Sequence, residues 1–404
     1  MNRARAMPRW RQRLLVPASS LLLFVAMISS FTPTPLYPLY QEKWMLSDAL
    51  VAVAFVGYPI GVMITLILLG GVSDRFGRRL TMIFASVALM VALGLLAFAV
   101  DYPLLVAGRV AQGIAVALAA GAGAAAMMES HPGGLSRGAL VNTLSLAAGA
   151  AVGPLLAGVL AERTSLPLVF PYLFVVVAVL LPGILIVLAA DIRSRIPRAR
   201  IVKTIRLPRT LWLPFSVAAA AILATNLTMG LYGAFGAEIA QSVGWASEVG
   251  AGFVVSTVLA CLAGIQIPGR NLEPRLAVSV GILSATTGWL VASVASFAGL
   301  PWMLMVGSIL VGSGAGLCLL GSTTVIGLIS PDTRRAEIYS VYLLVAFGAM
   351  ATMALLAGPI IQLTQVGFVL LAASLLCLGV TAYIFSVGRR TLAQVLVPTA
   401  SESL

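Results

Sequence analysis

From Ala49 to Leu69 the chain runs 21 residues almost without a polar side chain, and from Leu80 to Val100 it does so again. At about 1.5 Å per residue, a helix of that length crosses roughly 30 Å of hydrocarbon. Such runs recur along the whole sequence, near 14–38, 49–69, 80–100, 104–128, 139–161, 168–190, 211–235, 250–268, 277–299, 302–329, 338–363 and 366–387. Backbone in lipid must satisfy its own hydrogen bonds, so the runs predict twelve spanning helices. Composition leaves no soluble alternative: 9% of the 404 residues are charged and 60% are hydrophobic, where a soluble domain carries about 25% charged residues.

An even number of spans puts both termini on one face. The basic residues then sort by side. The N-terminal tail holds five arginines and the loop after span two holds Arg75, Arg78 and Arg79. Arg137 follows span four, seven basic residues fill the central loop, and two more lie in each of the loops after spans eight and ten and in the C-terminal tail. Only Lys43 and Arg163 fall on the other face, and Arg109 lies inside a span. This asymmetry predicts cytoplasmic termini and a cytoplasmic central loop. The net charge of +12 therefore reads as membrane topology, with flanks that contact anionic lipid and no nucleic-acid partner. The first apolar run is too long for a secretory signal and has no small-x-small cleavage site, so it reads as an uncleaved span. Cys261, Cys318 and Cys377 sit within spans without ligand spacing, and the only histidine, His131, lies in a turn, so no metal centre is expected.

The loop between spans two and three, Gly70-Gly71-Val72-Ser73-Asp74-Arg75-Phe76-Gly77-Arg78-Arg79, sets one acid, three arginines and three glycines between two hydrophobic helices. That order resembles the signature loop of the major facilitator superfamily. The resemblance implies an all-α membrane fold of two pseudo-symmetric six-helix bundles. They face each other across a cavity formed mainly by spans one, four, seven and ten. It also implies that Asp74 meets the positive N-terminal end of span eleven and latches the outward-open state. Arg75 and Arg78 are candidates to pair with Glu129 at the end of span four, whose other reading is a solvated carboxylate.

The bundles would be 1–190 and 211–404, joined by a basic linker at 191–210. Gly108, Gly113 and Pro132 recur as Gly307, Gly312 and Pro331, each 199 positions on, and Gly70 maps by the same shift onto Gly269. The constant offset predicts a duplicated unit.

Arg109 is the most informative span residue. An arginine there costs on the order of 2.5 kcal/mol or more unless it snorkels, pairs or faces water. Snorkelling is feasible so near a helix end. The run Gly108-Arg109-Val110-Ala111-Gln112-Gly113 resembles the family's fourth-span motif, which implies substrate binding and proton coupling for Arg109, with Gln112 and Gly113 beside it. Span five carries Gly149, Gly153, Pro154 and Gly158. Small residues at this spacing allow close helix packing in any case. With the proline, the run resembles the family's antiporter motif, typical of exporters, although Ala157-Gly158 stands where two glycines are common. Gly358-Pro359 in span eleven is a weaker echo.

Span one ends in a proline-rich run in which Pro35-Leu36-Tyr37-Pro38 resembles the first-span motif of drug exporters, with Ser29 where a glycine is expected. Tyr37 and Tyr40 read equally well as interfacial belt residues. Asn142, Thr225, Asn226 and Tyr232 are polar span residues suited to lining a cavity or bridging helices. A proton-coupled carrier needs a titratable group in its pathway. No acid falls mid-span; Glu238, at the outer end of span seven, and Asp48, at the start of span two, are the nearest candidates.

The resemblance thus implies an inner-membrane bacterial carrier that works alone, needs no cofactor and exports a small organic molecule against protons, and a lone Arg109 in an otherwise neutral cavity suits a neutral or anionic substrate. An importer working by symport or facilitated diffusion is the alternative. An integral-membrane lipid enzyme would need clustered acids or histidines, which the sequence lacks.

Overall fold

The computed structural model describes residues 14–190, 207–331 and 334–388. Among them twelve helices are long and apolar enough to cross a membrane: Leu15–Trp44, Asp48–Leu68, Arg78–Ala97, Tyr102–Ser130, Leu135–Glu162, Phe170–Leu188, Arg209–Gln241, Glu248–Gly269, Pro274–Ala298, Pro301–Ile329, Glu337–Leu363 and Val366–Val387. These are spans one to twelve. The basic N-terminal tail, the central-loop residues 191–206 and the arginines at 389 and 390 lie outside the described residues.

Local chemistry sets the ends. Asp101 caps span four, its carboxylate accepting the Leu104 N–H at 2.9 Å, with Pro103 in the first turn. Span nine stops at Gly299, whose φ of 65° is left-handed. Two spans run further than their sequence suggests. Span one absorbs its prolines in a tight turn at Thr34–Leu36, where Leu36 N–H reaches Pro33 O at 3.0 Å, and resumes as helix Tyr37–Trp44. Three missing donors favour that tighter winding over a stop. Span seven continues to Gln241 through a local distortion at Phe235 (φ −122°, ψ 21°) between two glycines. Glu238 is therefore inside a helix.

The chain forms two compact units. One comprises Met1–Leu46, Val53–Lys203 and Ser247–Ser256; the other comprises Ser47–Ala52, Thr204–Ala246 and Thr257–Leu404. In the first, span one packs on spans four and five, and span three on spans four and six. In the second, span seven packs on ten and eleven, and span nine on ten and twelve. The scheme is the same, displaced by six helices. It extends to single glycines: a methyl group on Gly113 would lie 2.1 Å from Tyr58 O, and one on its counterpart Gly312 would lie 2.4 Å from Val258 O. Here spans two and four, and spans eight and ten, cross backbone on backbone. The outward flanks carry exposed apolar side chains such as Phe84, Val177 and Leu375, as lipid contact requires.

Candidate transport site and signature loop

Arg109 is not snorkelled. It is 1% exposed, in the interior of the first unit. One guanidinium nitrogen, Nη1, donates to Ser30 O at 3.2 Å and to Gln112 Oε1, and Gln112 Nε2 donates to Ser29 O at 2.6 Å. Aromatic faces of span two cover the cation, with its Cζ 5.1 Å from the Tyr58 ring centre and 5.9 Å from that of Phe55. The Nε donor is buried without a partner. Among the described residues no carboxylate pairs with it. The charge is thus held by one backbone carbonyl, one amide and two rings, each a partial substitute for water. Gly113 and Gly61 make the site possible: a methyl on Gly61 would fall 2.1 Å from Val110 O, so span two comes close enough to lay its rings on the guanidinium.

In the second unit the position matching Arg109 is Ser308. Its hydroxyl lies 3.0 Å from the hydroxyl of Tyr232 on span seven. Tyr232 also tilts against buried Trp289, with ring centres 5.4 Å apart. The duplicated crossing is therefore charged in one unit and neutral in the other. Nearby on span seven, Thr225 donates to Ala315 O at 2.7 Å, while Asn226 is turned back on its own helix, donating to Ile222 O at 3.1 Å.

Glu238 has both carboxyl oxygens buried without a side-chain hydrogen-bond partner. Asn142 on span five has an Oδ1 in the same condition. Tyr37 and Tyr40 are each 1% exposed, so neither serves as an interfacial belt. Tyr40 OH donates to Tyr172 OH at 3.2 Å and ties span one to span six.

In the signature loop, a short helix Val72–Phe76 follows the turn at Gly70 and ends at Gly77, whose φ of 96° favours glycine. Arg78 is the hub. It reaches Asp74 at 2.6 Å and Glu129 at 2.9 Å, joining the loop to the end of span four. Arg75 lies instead over the Phe76 ring, at 5.6 Å. Arg79 turns to span six, where Nε donates to Ile186 O at 3.0 Å and Nη2 to Val187 O. Those are C-terminal helix carbonyls that lack partners of their own.

The span-five motif divides its contacts. Methyl groups on Gly149 and Gly153 would meet Phe24 O at 2.1 Å and Ile28 O at 2.8 Å, so the first two glycines seat span one. A methyl on Gly158 would lie 2.3 Å from Glu248 O, and one on Gly252 would lie 2.5 Å from Pro154 O. The Leu155 N–H, next to the proline, donates to Ser256 Oγ at 3.0 Å, and Glu162 accepts the Val249 N–H at 2.8 Å. All these residues belong to the first unit. The second unit repeats the arrangement 200 positions away: a methyl on Gly358 would lie 2.8 Å from Asp48 O.

The family model of the Major Facilitator Superfamily matches residues 19–283. The chain belongs to this superfamily. It is a membrane transporter rather than an enzyme, embedded by multiple spans and acting on a small-molecule substrate. Among solved structures this superfamily member is similar to a bacterial homolog of the human lysosomal transporter Spinster, inward-facing and unoccupied, with 14% identity and a TM-score of 0.77 over 98% of this chain and 100% of that one. The inward-facing occupied form of that homolog gives 16% identity, a TM-score of 0.73 and the same coverage. The human organic anion transporter MFSD10 (TETRAN) gives 17% and 0.66 over 92% of this chain and 99% of that one. Comparison with curated proteins finds no match.

Sequence reasoning missed Tyr58, Phe55, Glu162, Ser256 and Ser308. Shifting Arg109 by 199 positions finds Ser308. Nothing in the sequence marks the two rings.

Proposed function

We propose that the protein is a proton-coupled exporter of small organic molecules in a bacterial inner membrane, working by alternating access. The observation that carries this reading is Arg109, a cation kept in the interior without a carboxylate, since an intramembrane charge is retained for transport and not for stability. The span-five run Gly149, Gly153, Pro154 and Gly158 supports export, through its resemblance to the antiporter motif. Glu238 is the proton carrier in this reading. An ionised carboxylate at its position leaves two buried acceptors without side-chain donors, so the group suits binding a proton in one state and releasing it in another. The likeness of Gly70, Asp74, Gly77 and Arg78 to the family's signature loop supports Asp74 as a conformational latch in this reading.

The substrate is neutral or anionic, as the unpaired guanidinium favours. The likeness to a structure described as an organic anion transporter agrees with this. Everted membrane vesicles test the proposal against a panel of organic anions and neutral compounds. An inside-acid pH gradient should drive accumulation. Uptake indifferent to the gradient contradicts antiport, and accumulation only in right-side-out vesicles supports the importer.

A further inference from the structure

The surface between spans three and six carries a crevice of about 260 Å³ that the transport mechanism does not use. Its wall on span three includes Ser86, Val87 and Met90, and its wall on span six includes Gly183, Ile184 and Val187. The notch exists because Gly183 has no side chain: a methyl placed there would still stand 3.8 Å from the nearest atom, Ser86 Cβ. Ser86 offers no polar function, because its hydroxyl is spent on Met82 O at 2.9 Å. Val87, Ile184 and Val187 are exposed, so the crevice opens outward.

Its upper end is charged. Val187 lines the crevice and its carbonyl oxygen accepts from Arg79 Nη2, while Ile186 O accepts from Arg79 Nε. Among the described residues the remaining nitrogen, Nη1, makes no hydrogen bond. Exposed Arg75 lies in the same loop. From Arg79 to Met90 span three rises eleven residues, roughly 16 Å, or half of the ~30 Å hydrocarbon core. The crevice, lined on span three from Ile83 to Met90 and on span six from Val179 to Leu188, therefore lies within the depth of one leaflet, with Arg79 beyond its loop end.

We propose that this crevice is a binding site for one anionic phospholipid of the leaflet on the signature-loop side. An acyl chain lies along Val87, Met90 and Ile184 over the Gly183 notch, and the phosphate takes the free Nη1 donor of Arg79. An arginine offers a planar donor edge that suits a phosphate oxygen, and with Arg78 engaged by Asp74 and Glu129 it is exposed Arg75 that adds the positive charge favouring a net negative headgroup over a zwitterionic one. The lipid would brace the junction that Arg79 makes between the loop and span six.

Native mass spectrometry of the full-length protein in detergent, titrated with phosphatidylglycerol or phosphatidylethanolamine of identical chains, tests the site. The wild type should hold one phosphatidylglycerol about tenfold more tightly than phosphatidylethanolamine. Gly183→Leu fills the notch and should weaken both lipids; Val87→Trp, at an exposed position, serves the same purpose should the first variant fail to fold. Arg79→Gln should keep lipid binding but lose the headgroup preference. Equal retention of the two lipids by the wild type, or phosphatidylglycerol binding unchanged in the filled variants, overturns the proposal. So does a second copy of the chain held in a manner that those variants abolish.

Discussion

Arg109 concentrates the functional argument at the scale of one residue. Its guanidinium reaches Ser30 O and Gln112 Oε1 from one nitrogen while lying under Tyr58. A lysine at this position keeps the charge and loses the planar fork that stacks on the rings. Arg109→Lys should lower transport about tenfold or more, with little change in thermal unfolding; near wild-type transport would remove Arg109 from the mechanism. Glu238 separates coupling from carriage. Glu238→Gln keeps the shape and removes the proton, so gradient-driven transport should vanish while substrate exchange at equal pH persists. Gradient-driven transport at the wild-type rate would assign the proton elsewhere. Arg109 was visible in the sequence as a charge in an apolar run. Its environment was not, because the covering rings come from span two, and helix-to-helix placement leaves no trace in local composition. Glu238 was visible only as a border case, because the distortion at Phe235 lets span seven run past the apparent end of its apolar run.

At the scale of helices, glycines set how close the spans approach. Gly113 meets Tyr58 O, and Gly61 meets Val110 O, both at distances where no Cβ fits. Gly113→Val should force spans two and four apart and cost about 1–3 kcal/mol, read as a lower unfolding temperature in detergent with transport lost. Unchanged stability would mean that the crossing is looser than described. The signature loop gives the opposite separation. Asp74 pairs with Arg78 one turn away, partly exposed, and such pairs contribute only about 0.3–0.5 kcal/mol. Asp74→Asn should therefore abolish transport without loss of folding, and wild-type rates in that variant would count against the latch. The motif letters marked Gly77, Asp74 and Arg78 because glycine and charge are scarce near membrane helices. They did not reveal that Arg79 serves span six, since a backbone carbonyl acceptor has no sequence signature.

For the whole molecule, twelve spans and a duplicated packing scheme were legible from apolar run length and from one constant offset. Both follow from the bilayer, which demands helices of fixed length and leaves few other solutions. The offset of 199 positions reappears in the crossings at Gly113 and Gly312, where each unit pairs a glycine with a carbonyl of the neighbouring span. What distinguishes the two units, Arg109 in one and the Ser308–Tyr232 pair in the other, is the asymmetry on which the transport account depends. The most direct test is proton counting in proteoliposomes that hold a trapped pH dye and a substrate found by the vesicle screen, with the membrane potential clamped. Substrate leaving down its own gradient should draw protons inward and acidify the lumen, and Glu238→Gln should abolish the signal. Substrate efflux with no movement of protons would contradict the account.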